Sequence, residues 1–255
     1  TAPDASGNDN FGYSVSQSGN ILSIGAPGGN SGAGAAYLFQ IETNGSATYL
    51  TKVSAPDTAA GDNFGRSVSQ SGNILAVGAN LADPDGLNGA GAAYMYRLEA
   101  NGSATYLNKV IAPDKAAGDQ FGVSVSQSGN ILAVGANGAD PAGNLNAGAS
   151  YLFRLEANGS ASYLTKIIAP DKAAGDYFGI SVSQSGNILV VGATNADLGG
   201  INDAGAAYIF QLEANGSASY LTKITAPDPG SINLFANSVS QSGNILAIGA
   251  RQATP

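Results

Sequence analysis

Apolar and polar positions along the chain form a pattern that recurs. A short alternating stretch, Ser14 to Ser16, leads through a two-residue Ser18-Gly19 turn into a nearly unbroken apolar run, Ile21 to Ala26. A strand apolar at almost every position is expected where both faces are covered. A loop rich in Gly, Asn and Asp follows, then a third strand from Ala35 to Ile41. The dipeptide Asn44-Gly45 turns the chain into a fourth, Tyr49 to Val53. Asn-Gly between apolar runs predicts a two-residue hairpin turn with both residues at positive φ. That register sets Phe39 opposite Leu50 and Gln40 opposite Tyr49. In later copies it sets Arg97 opposite Tyr106 and Arg154 opposite Tyr163, within reach of cation–π contact. No stretch carries the helical period.

The whole pattern repeats. The segment SVSQSGNIL occurs unchanged from Ser14, Ser67, Ser124, Ser181 and Ser238, and the preceding aromatics are Phe11, Phe64, Phe121, Phe178 and Phe235. Successive spacings are 53, 57, 57 and 57 residues, a period that favours propeller blades over shorter solenoid repeats. A four-stranded unit that is apolar on both faces must pack against a neighbour on each side, which blades around an axis provide. The predicted fold is an all-β propeller of antiparallel four-stranded blades, in one domain over 1–255. Its units run 1–57, 58–114, 115–171 and 172–228, with a two-stranded fifth at 229–255, eighteen strands in all. Lys52, Lys109, Lys166 and Lys223 recur on the fourth strand, where a charge discourages edge-to-edge pairing.

Three motifs carry a resemblance to a known family. Phe-Gly opens the first four units (Phe11-Gly12, Phe64-Gly65, Phe121-Gly122, Phe178-Gly179). Gly-Ala closes every second strand, with Gly-Ala-Pro at Gly25-Ala26-Pro27. Gly-Ala-x-Tyr-x-aromatic follows, as in Gly91-Ala92-Ala93-Tyr94-Met95-Tyr96. Over nearly its whole length the chain resembles the FG-GAP repeats of integrin α-subunit head domains. The resemblance implies a propeller that binds partners on one loop face. Many members carry an acidic calcium loop between first and second strands. Here that connection is Gln17-Ser18-Gly19-Asn20, without a carboxylate, so those calcium sites are not carried over.

Composition narrows the chemistry. The 255 residues include neither Cys nor His, which removes thiolate nucleophiles, zinc–sulfur sites and the usual general base. The net charge of −8, with ten scattered Lys and Arg, offers no basic stripe for nucleic acid. No apolar run approaches the ~20 residues of a membrane span. The 36 glycines beside an apolar fraction of 44% indicate many tight turns in a packed chain.

The candidate chemistry lies in the loops. Asn44-Gly45-Ser46 and its copies at Asn101, Asn158 and Asn215 are N-glycosylation sequons, but a hairpin turn explains them more simply. The pairs Asp57/Asp62, Asp114/Asp119 and Asp171/Asp176 read as turn formers, since near-copies of a catalytic pair are implausible. Loops between second and third strands differ most among units. They hold the candidate ligand-binding residues Asp83, Asp85, Asn88, Asp140, Asn144, Asp197, Asn202 and Asp203. Oxygen-rich loops suit calcium, although none shows the alternation of a calcium-binding loop, and no metal ligand set is assigned. These loops and the fourth-to-first-strand connections emerge on one side and together hold all fourteen aspartates. The opposite side carries only the Ser-Gly and Asn-Gly turns.

An acidic, variable face on a repeated scaffold points to a secreted or cell-surface adhesion module that engages a protein or glycan. The alternatives are a structural protein that assembles chain to chain and, least favoured, an enzyme. Thr1-Ala2-Pro3-Asp4 matches Thr225 to Asp228, and Gly249 to Pro255 aligns with Gly78 to Pro84. The expectation is a segment of a longer protein, or a last blade completed by self-association through its open edge.

Overall fold

The fold is described from a computed structural model covering residues 2–4 and 7–252. Thr1 and residues 253–255, on which part of the end alignment rests, lie outside the described residues. Among the described residues there are eighteen strands and only three single-turn 3₁₀ helices. The first unit comprises β1 (Ser14–Ser18), β2 (Ile21–Ala26), β3 (Ala35–Ile41) and β4 (Ala47–Val53). The second is β5 (Phe64–Ser71), β6 (Ile74–Ala79), β7 (Ala92–Leu98) and β8 (Ala104–Val110). The third is β9 (Ser124–Ser128), β10 (Ile131–Ala136), β11 (Ala149–Leu155) and β12 (Ala161–Ile167). The fourth is β13 (Phe178–Ser185), β14 (Ile188–Ala193), β15 (Ala206–Leu212) and β16 (Ala218–Ile224). Strands β17 (Phe235–Ser242) and β18 (Ile245–Ala250) complete the set. Each full unit is an antiparallel meander in chain order, and the last pair forms a two-stranded sheet. This is a β-propeller: first strands of successive units lie side by side, and residues of all five units meet around one axial cavity.

The core lies between the units. One cluster joins Ala36, Leu38 and Val53 of the first to Phe64, Leu75, Val77 and Tyr94 of the second. Equivalent clusters join the second to the third and the third to the fourth. The repeated motif explains how the sheets fit together. Gly25, the glycine of Gly-Ala-Pro, could not carry a side chain, because its Cβ would fall 2.1 Å from the Gly65 carbonyl oxygen of the next unit. The space is taken by Ser14, whose Oγ donates to that same carbonyl (2.9 Å).

The rest of the serine motif continues the contact. Ser16 Oγ accepts from the Gln70 amide (2.9 Å) and Ser18 Oγ from the Gly72 amide (3.0 Å). First strands of adjoining units are thus linked by side-chain bonds instead of backbone pairing. The links recur as Ser67 to Gly122, Ser124 to Gly179 and Ser181 to Ala236. Ala236 stands where the other units have glycine, yet keeps the left-handed backbone (φ 67°).

The expected hairpin register fails at its tip. Phe39 faces Tyr49, not Leu50, Gln40 faces Thr48, Arg97 faces Thr105 and Arg154 faces Ser162. The loop has three residues: the Gly45 amide donates to the Glu42 carbonyl, the Glu42 amide to the Ser46 carbonyl, and only Gly45 of the Asn-Gly pair has positive φ. That is a type I turn closed by a left-handed glycine. Leu50 is then an extra residue in a bulge, and beyond it Leu38 faces Thr51 as the predicted register requires. The bulge directs Leu50 onto the next unit, where it packs beside Gly102 and the core cluster between the first and second units. The Arg–Tyr pairs are replaced by edge-to-face aromatic pairs, Phe39–Tyr49 at 5.7 Å and Tyr96–Tyr106 at 5.8 Å. The first turn also moves by one residue, to Gly19-Asn20, because Ser18 pairs with Ile21.

Candidate functional site

The fourth-to-first-strand connections and the second-to-third-strand loops are brought together. The loop after β2 lies against the entry to the second unit, with the Gly61 amide donating to the Gly32 carbonyl and the Phe64 amide to the Ala33 carbonyl. The same seam recurs where the Gly118 amide donates to the Asn88 carbonyl and the Ile232 amide to the Asn202 carbonyl. These loops are tied to the next unit by backbone bonds.

Within the loops, the candidate carboxylates bond to their own backbone. Asp83 Oδ1 accepts from the Gly89 amide (2.7 Å), Asp140 Oδ1 from the Asn146 amide (2.6 Å) and Asp197 Oδ1 from the Asp203 amide (2.9 Å). Each bond joins residues six positions apart and so closes the loop. Asn144 Nδ2 donates to the Pro141 carbonyl (3.3 Å). Asp85 reaches across to Lys115 (3.0 Å) and its side chain is 73% exposed. Among the described residues no three carboxylates come together to hold a metal ion. Asp83 with Asp85, and Asp197 with Asp203, share loops, and no third carboxylate joins either pair among the described residues.

The connection aspartates divide into two kinds. Asp62, Asp119 and Asp176 are buried turn formers, accepting from the amides of Ala59, Ala116 and Ala173 at 2.7–2.8 Å. Burial raises their carboxyls above the usual aspartate value, against the lowering effect of those amides. Asp57, Asp114 and Asp171 do something else. Tyr94 Oη donates to Asp57 Oδ1 (2.9 Å) and Lys109 Nζ donates to Oδ2 (2.7 Å), with the ammonium 5.5 Å from the Tyr94 ring centre. The same clamp joins Asp4, Tyr37 and Lys52, then Asp114, Tyr151 and Lys166, then Asp171, Tyr208 and Lys223. The recurring lysines are therefore not free edge charges. Each lies over a ring and holds the incoming chain onto the outer two strands of its blade.

Electrostatics bears this out. Burial pushes the Asp57, Asp114 and Asp171 carboxyls up, but hydrogen bonds from lysine and tyrosine outweigh it and leave each below the usual value. Burial, reinforced by the bonded carboxylate, holds Tyr94, Tyr151 and Tyr208 far above the usual phenol range. A carboxylate kept ionised beside a phenol kept protonated has no proton to exchange near neutrality.

Two recessed regions were not among the candidate residues. Clefts of about 610, 560 and 550 Å³ lie between adjoining units on the side of the Ser-Gly and Asn-Gly turns. A cavity of about 310 Å³ at the axis is lined by Tyr13, Arg66, Val123, Ile180, Asn237 and Arg251. A signal for the axial set was present in the sequence. The residue just before each SVSQSGNIL differs in all five copies.

Comparison with known proteins agrees with the geometry. The sequence model described as FG-GAP repeat matches residues 1–39, 48–96, 105–153 and 162–210. A search of curated proteins finds no match. Among solved structures, a crystal structure of a protein from Lactobacillus plantarum is similar with a TM-score of 0.54 and 14% identity, over 84% of this chain and 55% of that one. At that identity the likeness is one of fold, and the chain spans little more than half of its structural relative.

Proposed function

Because the chain belongs to the FG-GAP repeat family, we propose that it is an extracellular or cell-surface binding module whose acidic loop face engages a protein or glycan. The propeller itself is a scaffold suited to binding or structural roles. The observation that carries the finer reading is a contrast. The backbone bonds that seat each second-to-third-strand loop recur between units, whereas the loop sequences, NLADPDGLNGAG, NGADPAGNLNAG and TNADLGGINDAG, differ. Seated, differing loops present side chains without disturbing the blades beneath. Asp83, Asp85, Asp140 and Asp197 are exposed there. No reaction is assigned, since the sequence supplies no His or Cys and the Asp–Tyr–Lys clamps serve as braces.

The test is a glycan array and an extracellular-protein screen run with the native chain and with the Asp85→Asn/Asp140→Asn/Asp197→Asn variant. Asparagine keeps the Oδ1 acceptor that closes the loops, so the change removes charge and leaves the scaffold. Binding at least tenfold weaker in the variant supports the acidic face, and equal binding moves the surface elsewhere.

A second reading, chain-to-chain assembly, rests on the two end faces. Val15 is 63% exposed, while its equivalents Val68, Val125 and Val182 are 8%, 7% and 8% exposed beneath the preceding unit. Ser238 and Ser240 are exposed where earlier serines meet a following unit. One face carries the hydroxyls and the other the backbone groups that such hydroxyls bind. Sedimentation velocity across a hundredfold concentration range checks it, a ladder of oligomers supporting assembly and a single monomeric species removing it.

A further inference from the structure

The five residues that follow Phe-Gly, or Phe-Ala in the last unit, are Tyr13, Arg66, Val123, Ile180 and Asn237. Each is followed by nine residues that never vary, yet no two of the five are alike. All five line the axial cavity, joined by Arg251. Within the segment that runs from this Phe through SVSQSGNIL, this is the one position at which all five units differ, and it faces the axis.

The chemistry around the cavity is two-sided. Tyr13 and Arg66, from adjoining units, form one wall, with the guanidinium 4.6 Å from the centre of the tyrosine ring. Stacking on that ring orients the guanidinium plane and leaves its N–H edges available. Val123 and Ile180 form an apolar wall, and Asn237 and Arg251 supply further donors. Neither arginine belongs to an ion pair among the described residues, although six other cations do. In a chain of net charge −8, two arginines held clear of carboxylates around one recess are a local reversal of sign. Burial lowers the Arg66 pKa from its ordinary value, a cost that a bound anion would offset. The guanidinium fork matches a carboxylate through two parallel N–H···O bonds. A cavity of about 310 Å³ is at the small end of ligand sites, so it admits one such group on a short apolar body.

We propose that the axial cavity is a binding site for an aliphatic carboxylate, anchored by Arg66 on Tyr13, with Val123 and Ile180 receiving the hydrocarbon part. Such a group is found on a free branched-chain acid and at the end of a peptide chain with a C-terminal leucine. Isothermal titration with 4-methylpentanoate and with Gly-Gly-Leu, each beside its neutral amide, tests the site and separates the sources. The expected result is saturable binding of at least one acid at millimolar concentration, at least tenfold weaker for the matching amide. Arg66→Gln is expected to weaken acid binding at least tenfold, Ile180→Asn several-fold, and Arg66→Lys less than Arg66→Gln. Circular dichroism and thermal unfolding of each variant establish that the fold is retained. Binding of the peptide but not the free acid identifies the source as a chain terminus, and binding of both identifies the carboxylate alone as sufficient. No saturable binding by either acid, equal binding of acid and amide, or an Arg66→Gln variant that folds and binds normally would each overturn the proposal.

Discussion

A single hydroxyl shows how finely the repeat is tuned at the scale of one residue. Ser23 Oγ donates to Gln70 Oε1 of the next unit (2.7 Å), and both are buried. At the equivalent position the later units have Ala76, Ala133 and Val190. Correspondingly, Gln127, Gln184 and Gln241 keep a buried Oε1 without a protein partner among the described residues. A buried acceptor left unpaired forgoes a bond that contributes about 0.5–1.5 kcal/mol. Ala76→Ser is therefore expected to stabilise the chain by about that amount, read as a higher urea midpoint with an unchanged slope. A lower midpoint would mean that the hydroxyl does not reach Gln127. The sequence displays this difference among the copies, but only the packing of one unit on the next gives it a meaning.

At the scale of elements, the Asp–Tyr–Lys clamp sets a pH dependence. Asp57, Asp114 and Asp171 have folded pKa values below the usual aspartate value, mainly because lysine and tyrosine bonds overcome burial. A lowered carboxylate pKa contributes stability that is complete above the unfolded pKa and lost as pH falls through the folded one. Asp62, Asp119 and Asp176 act in the opposite sense, because burial raises them and their ionisation on the way to neutral pH weakens the fold. Replacing Asp57, Asp114 and Asp171 by Asn should flatten the loss of stability on the acid side. Replacing the other three should instead remove the opposing slope. Urea unfolding between pH 3 and 7 distinguishes the two, and parallel curves for both variants would discount the clamps. Strand positions were legible from apolar alternation: β2 and β3 fall where the sequence places them. The clamp was not, because its aspartate and lysine are separated by 52 residues in the second unit. The hairpin register was half legible, since Asn-Gly signals a turn but not that Leu50 is drawn out by the neighbouring blade.

For the molecule as a whole, the core between units predicts how it comes apart. Each unit contacts its neighbours, so stability is a sum of unit and junction contributions. Gly122 sits at a junction with φ 90°, and a Cβ there would meet the Ala92 carbonyl oxygen at 2.3 Å. Gly122→Ala is expected to cost about 1–3 kcal/mol through overpacking and to uncouple the second unit from the third. Hydrogen exchange should then show two cooperative groups of amides where the native chain shows one, and a uniform loss of protection would mean that the blades unfold as one unit. The propeller was legible because its period and motifs recur. The acidic face was legible as a placement of residues but not in its pairing, since Asp4, Asp57, Asp85, Asp114 and Asp171 are each matched by a lysine distant in sequence. The serine ladder has one more consequence. Its hydroxyls all project from a unit toward its successor, so every joint has a fixed polarity and the same pair of serine bonds. Excising residues 58–114, or inserting a second copy of them, recreates the same serine bonds at the scar. The chain is in this sense a set of interchangeable couplings, and gain or loss of a whole period in its gene would leave each surviving connection intact.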